Sequence, residues 1–139
     1  MIICDTGPLV AAALGNDDHH HACVELFTSA HLAGQALLVP AVVVAEVGFL
    51  LEREAGPRIE AMFLRSLAEG DFIPVELTPA DYTRMALLVE QYSDLPLGTT
   101  DAAVIAISER LNITDVATLD RRHFTVVRPA HADALTLLP

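Results

Sequence analysis

Short apolar runs alternate along the chain with longer segments in which apolar residues recur every three or four positions. The runs are typical of buried strands, and the longer segments are typical of amphipathic helices. The predicted strands span residues 2–4, 36–39, 72–77, 115–119 and 125–127. The predicted helices span residues 9–14, a segment between a cap at 16–18 and a stop at Gly34, and residues 40–55, 57–69, 78–92 and 99–111.

The order of these elements indicates the fold class. Continuously apolar strands that alternate with helices through short connections favour a mostly parallel sheet of four or five strands with helices on both faces. We therefore predict a three-layer α/β/α domain. Pro74 places the third strand at an edge of the sheet, because proline cannot donate to a central ladder. A length of 139 residues with 53% apolar content fits a single domain over 1–139.

Several apolar side chains are assigned to the core rather than to a cofactor pocket. They include Leu32, Met62 and Phe63, which lie on predicted helices. Cys4 and Cys23 each lie within an apolar run, so we expect buried, reduced thiols and no disulfide. The longest apolar stretch, 36–45, is shorter than the roughly 18 residues that a membrane span needs. The start of the chain lacks the features of a signal peptide, which predicts a cytoplasmic protein.

Four acidic residues stand where solubility alone does not require a charge: Asp5, Glu46, Asp101 and Asp120. Asp5 and Asp120 each close an apolar run, and Asp101 opens an apolar helix. Glu46 lies between apolar neighbours at three and four residues' distance, so its carboxylate is buried or lines a cleft. Ligands of parallel sheets bind beyond the carboxyl ends of the strands, where Asp5 and Asp120 are predicted to lie.

The negative charges of carboxylates that lie close together repel one another and have to be neutralised. Two unit charges about 4 Å apart repel by roughly 4 kcal/mol at an effective dielectric near 20. An Arg, a proton or a metal ion can offset this repulsion, and four acids together favour the metal. No Cys pair or paired His accompanies them, so a hard ion, Mg²⁺ or alternatively Mn²⁺, is expected rather than zinc. Such a site suits phosphodiester hydrolysis by metal-activated water.

Two roles are possible for each of the polar residues next to these acids. Thr6 and Thr118 either cap turns or orient water and carboxylates near the acids. Arg121 and Arg122 follow Asp120 directly and either contact RNA phosphates or lie in a solvated turn. The Asp- and His-rich segment 17–21 is assigned to a solvated helix start, because successive side chains on a helix point in different directions.

The charge balance restricts the partners. The formal net charge is −11, and all eight strongly basic residues are Arg, without a single Lys. This composition argues against a broad basic face for long nucleic acids, so a nucleic-acid substrate has to be held locally. It suits metal cations or a basic protein partner.

Four segments together resemble the PIN-domain superfamily, especially the VapC-type toxins of bacterial toxin-antitoxin pairs. The segments are 3–9, 43–47, 92–102 and 117–124, which span nearly the whole chain in the family's order. The resemblance implies a PIN-like fold and a Mg²⁺-dependent endoribonuclease whose metal site is formed by Asp5, Glu46, Asp101 and Asp120. It also implies a secondary acid at Asp94, a homodimer, and inhibition by a small antitoxin, here one with a basic tail.

Two other classes of function compete with a nuclease. A PIN-like protein-binding module without nuclease activity is favoured by the shortage of basic residues for RNA. A phosphotransfer protein is disfavoured twice: a receiver domain uses a late Lys that is missing here, and an aspartyl phosphatase has a second Asp where Gly7 stands.

Overall fold

Five parallel strands form one sheet, and seven helices flank it. The computed structural model describes every residue from Met1 to Pro139. The strand order is β3-β2-β1-β4-β5, with every neighbouring pair parallel. The elements in chain order are β1 (Ile2–Cys4), α1 (Thr6–Ala13), α2 (His20–Leu32), β2 (Leu37–Pro40), α3 (Ala41–Ala55), α4 (Pro57–Glu69), β3 (Ile73–Val75), α5 (Pro79–Gln91), α6 (Thr99–Leu111), β4 (Asp115–Ala117), α7 (Arg121–Val126) and β5 (Thr136–Leu138).

The centre of the sheet is β1, which explains its wholly apolar sequence. Ile3 pairs with Leu38 of β2 on one side and with Val116 of β4 on the other. The chain runs from β1 towards one edge through β2 and β3, and later returns to the opposite side of β1 as β4. The strand order therefore changes direction between β1 and β4. The predicted α/β class with a parallel sheet is confirmed.

Local sequence signals place several elements as predicted. The helices over 57–69 and 99–111 have the expected bounds. β3 lies at a sheet edge, as Pro74 predicts, and Pro74 pairs with Val39 of β2. Every residue from Ala102 to Ser108 in α6 is buried, which accounts for its uninterrupted apolar and small side chains. Cys4 and Cys23 are buried free thiols. None of the helices combines the length and apolarity that a bilayer crossing demands.

The prediction of a last strand at residues 125–127 is wrong. Residues 125–127 fall at the end of α7 and its cap, and the final strand is β5 at Thr136–Leu138. The cause is a local cap: Asp120 accepts a hydrogen bond from the His123 amide and starts a helix. The first helix also begins at Thr6 instead of Leu9.

Two of the predicted core side chains are instead exposed. Leu32 is 85% exposed and Met62 is 55% exposed, whereas Phe63 is buried. Leu32 is the last residue of α2 and lies out of phase with its buried side chains at Cys23, Phe27 and Ala30. Met62 and Phe63 are consecutive on α4 and point about 100° apart, and although both line one apolar groove, Phe63 is buried and Met62 is exposed.

A partly buried ion pair joins α5 to α6. Asp81 forms a capping box with Thr78 at the start of α5, and both of its carboxylate oxygens accept hydrogen bonds from Arg110. Burial by itself raises the pKa of Asp81, but hydrogen bonds from Thr78 and Arg110, with the Arg110 charge, lower that pKa below its usual value. The ionised carboxylate therefore stabilises the packing of these two helices.

We expect Asp81→Asn to lower the free energy of unfolding at pH 7 by about 2 kcal/mol, because it leaves Arg110 without its charged partner. A lowered carboxyl pKa contributes stability above the unfolded value near 3.8 and loses it as the pH falls through the folded value. The difference between the variant and the wild type should therefore shrink below pH 4. Urea unfolding across pH 3 to 7 measures it, with Asp133→Asn at an exposed acid as the control. An equal difference at every pH contradicts the ionic role.

Candidate active site

Four segments meet beyond the carboxyl ends of β1 and β4, where the strand order changes direction. Asp5 follows β1 directly and begins α1, and Thr118 follows β4 directly. Asp101 lies in the first turn of α6, and Asp120 caps α7. A crevice at such a point is the usual ligand site of an open parallel sheet.

A polar cavity of about 270 Å³ opens at this edge. None of its lining side chains is hydrophobic. The lining residues are Asp5, Thr6, Glu46, Gly98, Thr99, Thr100 and Asp101. Three of the four predicted acids therefore share one cavity, together with hydroxyl groups that can bind water or an oxyanion.

Asp5 is the deepest of these acids, with only 6% of its surface exposed. The Thr118 hydroxyl donates a hydrogen bond of 2.9 Å to its Oδ2 atom. Burial raises the pKa of Asp5 to about 6, against hydrogen bonds from the Thr6 amide and the Thr118 hydroxyl, which lower it. The charges of Asp101 and Glu46 act in the same direction as burial and contribute to this value. These three carboxylates therefore carry an excess of negative charge.

Glu46 lines the cavity and is exposed, which settles the two alternatives that its sequence left open. Its Oε2 atom accepts a hydrogen bond of 2.8 Å from the Thr6 hydroxyl, so α1 orients a carboxylate that α3 supplies. Thr118 has both of its expected roles. Besides donating to Asp5, its hydroxyl accepts a bond of 3.0 Å from the Asp120 amide and so closes a turn.

Asp120 lies beside the cavity, in contact with a histidine. The His123 Nδ1 atom lies 2.8 Å from Oδ2 of Asp101 and 3.0 Å from Oδ2 of Asp120. One possible ligand atom from each of these three residues lies within 4.8 Å of the other two. Asp101 therefore belongs to both groups, and the four acids form one continuous site.

His123 is the residue that the sequence analysis missed. The usable signal is its spacing: three residues after the helix-capping Asp120, a side chain returns to the same side of the helix as the cap.

The remaining sequence candidates lie outside the cavity lining. Asp94 is exposed in the loop before α6. The Arg121 guanidinium donates to the Pro139 carbonyl at 2.6 Å, whereas Arg122 is exposed and has no ion pair. Residues 17–19 form the turn that precedes α2, and the His20 Nδ1 atom in its first turn lies 2.9 Å from the Ala11 carbonyl oxygen.

The donor set fits a hard divalent cation. Oxygen donors dominate it, and Oε1 of Glu46 and Oδ1 of Asp101 accept no hydrogen bond from the protein. Each of these two acids thus has one oxygen fixed by a protein donor and one oxygen available to an ion. The unbalanced charge around Asp5 provides the electrostatic reason for binding a cation.

This combination of a parallel α/β fold and an acid-lined crevice is of the kind that metal-dependent hydrolases of phosphate esters use. Residues 2–128 match the PIN domain family. The chain is 33% identical over 138 residues to Ribonuclease VapC26 of Mycobacterium tuberculosis, covering 99% of this chain and 100% of that protein. The chain belongs to the PIN-domain family, and its resemblance to VapC-type proteins is confirmed.

Solved structures show the same fold at low sequence identity. VapC20 of Mycobacterium tuberculosis, described as a sarcin-ricin loop cleaving toxin, matches with a TM-score of 0.74 at 17% identity, over 84% of this chain and 87% of that one. VapBC2 from Rickettsia felis, bound to a DNA fragment from its promoter, matches with a TM-score of 0.70 at 15% identity, over 100% of both chains.

The raised pKa of Asp5 predicts a stability change in the protein kept in a chelator. A carboxyl pKa raised from 3.8 to about 6 contributes stability below pH 3.8, and this contribution is lost as the pH rises through about 6. Asp5→Asn should therefore raise the free energy of unfolding at pH 7.5 by up to about 3 kcal/mol, and by little near pH 4. Urea unfolding at both pH values tests this, with Asp94→Asn as an exposed control. A variant less stable than wild type at pH 7.5 contradicts it.

Proposed function

We propose that this protein is a Mg²⁺-dependent endoribonuclease that hydrolyses RNA phosphodiester bonds, and that it is the toxin of a type II toxin-antitoxin pair. The observation that carries the proposal is the acid-lined cavity at the carboxyl edge of a PIN-family sheet. The ribonuclease name of the relative supports the reaction, and the VapBC structure supports a paired toxin. The 139 residues act as one nuclease domain, which we place in the cytoplasm.

Asp5 and Asp101 are the proposed direct ligands of the ion, with Glu46 and Asp120 completing the site. Mg²⁺, or Mn²⁺ in its place, would supply a Lewis acid that lowers the pKa of water enough to provide a hydroxide nucleophile for the phosphate. Asp5 has to lose its proton to serve as a ligand, so metal uptake should release protons below about pH 6.

The chain's own residues prepare this site. The Thr118 and Thr6 hydroxyls fix the carboxylates of Asp5 and Glu46. The hydroxyls of Thr99 and Thr100 line the cavity at the start of α6, where amide groups and the helix dipole favour an RNA phosphate. Arg122 is the better candidate for a further phosphate contact, because Arg121 is already bonded to the Pro139 carbonyl.

The proposed partner is a small antitoxin with a basic tail. A net charge of −11 and a cavity lined by carboxylates favour an Arg-bearing segment that enters the site. The toxin itself is proposed to be a homodimer.

Loss of activity in matched variants tests the nuclease. Purified protein with Mg²⁺ should cleave bacterial RNA, and Asp5→Asn or Asp101→Asn should lower the rate more than about 100-fold. This exceeds the range typical of losing an outer-shell partner, because a direct ligand is removed. EDTA should stop cleavage, and Mn²⁺ should restore it. Asp133→Asn, at an exposed acid, is the control. Full activity in both acid variants overturns the assignment.

A protein-binding module without nuclease activity is the second candidate, and the absence of Lys with only eight Arg favours it. Calorimetric titration with Mn²⁺ separates the two candidates. The nuclease should take up Mn²⁺ in a reaction that Asp101→Asn abolishes. A protein that shows neither Mn²⁺ uptake nor RNA cleavage supports the binding module instead.

A further inference from the structure

We propose that His123 is a positioning residue, whose imidazole Nδ1 atom contacts both Asp101 and Asp120 and sets the orientation in which Asp101 meets the ion. This inference rests on the proposed metal-dependent function. It also gives Asp120 a different task from that of Asp5: Asp120 acts on the site through His123 and does not hold the ion directly.

The contact distances define this link. Nδ1 of His123 is hydrogen-bonded to Oδ2 of Asp101 at 2.8 Å and lies 3.0 Å from Oδ2 of Asp120. Ionised carboxylates only accept hydrogen bonds, so the ring nitrogen has to carry the proton. The N–H group therefore donates to the oxygen atom of Asp101 that the more distant Gly98 amide approaches at 3.4 Å, and Asp120 is in electrostatic contact with the same nitrogen.

His123 contacts both oxygens of Asp120. The His123 backbone amide donates to Oδ1 at 3.2 Å, and the ring Nδ1 atom lies 3.0 Å from Oδ2. Asp101 differs, because its Oδ1 atom accepts no bond from the protein and remains available for the ion. The two acids thus have different tasks: Asp101 can bind the ion, and Asp120 fixes the ring that orients Asp101.

The surroundings make this link rigid. His123 is in the first turn of α7, and the next residue, Phe124, anchors that helix with only 2% of its surface exposed. The side chains of Asp101 and His123 are 16% and 20% exposed, so the hydrogen bond between them has little access to water, whereas that of Asp120 is 42% exposed. A charge-assisted hydrogen bond with little access to water is stronger and more directional than one on the surface. The outer-shell partners of metal ligands are typically worth 10–100-fold in metal affinity.

Three substitutions test the position of the donor. Asn places its amide N–H close to the position of Nδ1, Gln extends its amide towards the position of Nε2, and Ala has neither. We expect His123→Ala and His123→Gln to weaken Mn²⁺ binding about tenfold or more, and His123→Asn to bind within about threefold of the wild type. Calorimetry measures the affinity, and thermal unfolding checks that each variant is folded. Wild-type affinity in His123→Ala overturns the proposal.

Two spectroscopic measurements separate positioning from direct ligation. Pulsed EPR of the Mn²⁺-loaded wild type should show no directly bound nitrogen, and a bound imidazole nitrogen overturns the proposal. Long-range ¹H–¹⁵N spectra of the protein in a chelator, with His123 assigned through His123→Asn, should show a protonated Nδ1. An unprotonated Nδ1 overturns it.

The NMR result does not depend on metal binding, so the two proposals can fail separately. A wild type that takes up no Mn²⁺ overturns the proposed function, and the protonation of Nδ1 then decides the His123 link alone. A wild type that binds Mn²⁺ and cleaves RNA, with His123→Ala unchanged in affinity, overturns only the positioning role.

Discussion

The dominant constraint on this molecule is the Asp5 carboxylate, buried at the end of the central strand and close to two other acids. Folding has to remove this group from water, and the Thr118 hydroxyl from the adjacent strand segment meets only part of that cost. The other polar groups of the site offset the negative charge of these acids. Hydroxyls, amides and one imidazole surround the acids, and a divalent cation would complete the balance.

Topology explains how acids far apart in sequence meet. β1 and β4 are neighbours at the point where the strand order changes direction, so the segments that follow them leave the sheet side by side. α6 then presents Asp101 from its first turn, and α3 brings Glu46 to the same cavity. No single segment contains the site. A displacement of any one of these elements would therefore separate the carboxylates.

Much of this arrangement was predictable from the sequence, where the cost of an unpaired charge in an apolar run identified the acids. Pro74 predicted the edge strand correctly, and the caps and apolar spacing predicted the bounds of α4 and α6. The exposure of Leu32 and Met62 was not predictable from hydrophobicity, because it depends on which face of each helix meets its neighbours. Residues 125–127 have β propensity, but the cap at Asp120 determines their conformation. The spacing of His123 from Asp120 is visible in the sequence, but its contact with Asp101 depends on tertiary structure that no local pattern contains.

The burial of α6 has a consequence for genetics. The seven residues that follow Asp101 in α6 are all buried, so this helix cannot move without disturbing the packing of the hydrophobic core. The position of the Asp101 carboxylate is therefore fixed by the core. Replacing a small buried residue of α6, such as Ala103, by a larger one would displace the Asp101 carboxylate from the cavity, although no charged group is altered. Inactive alleles of this gene should therefore include conservative apolar replacements at positions that do not line the crevice, and a survey limited to acidic positions would overlook them.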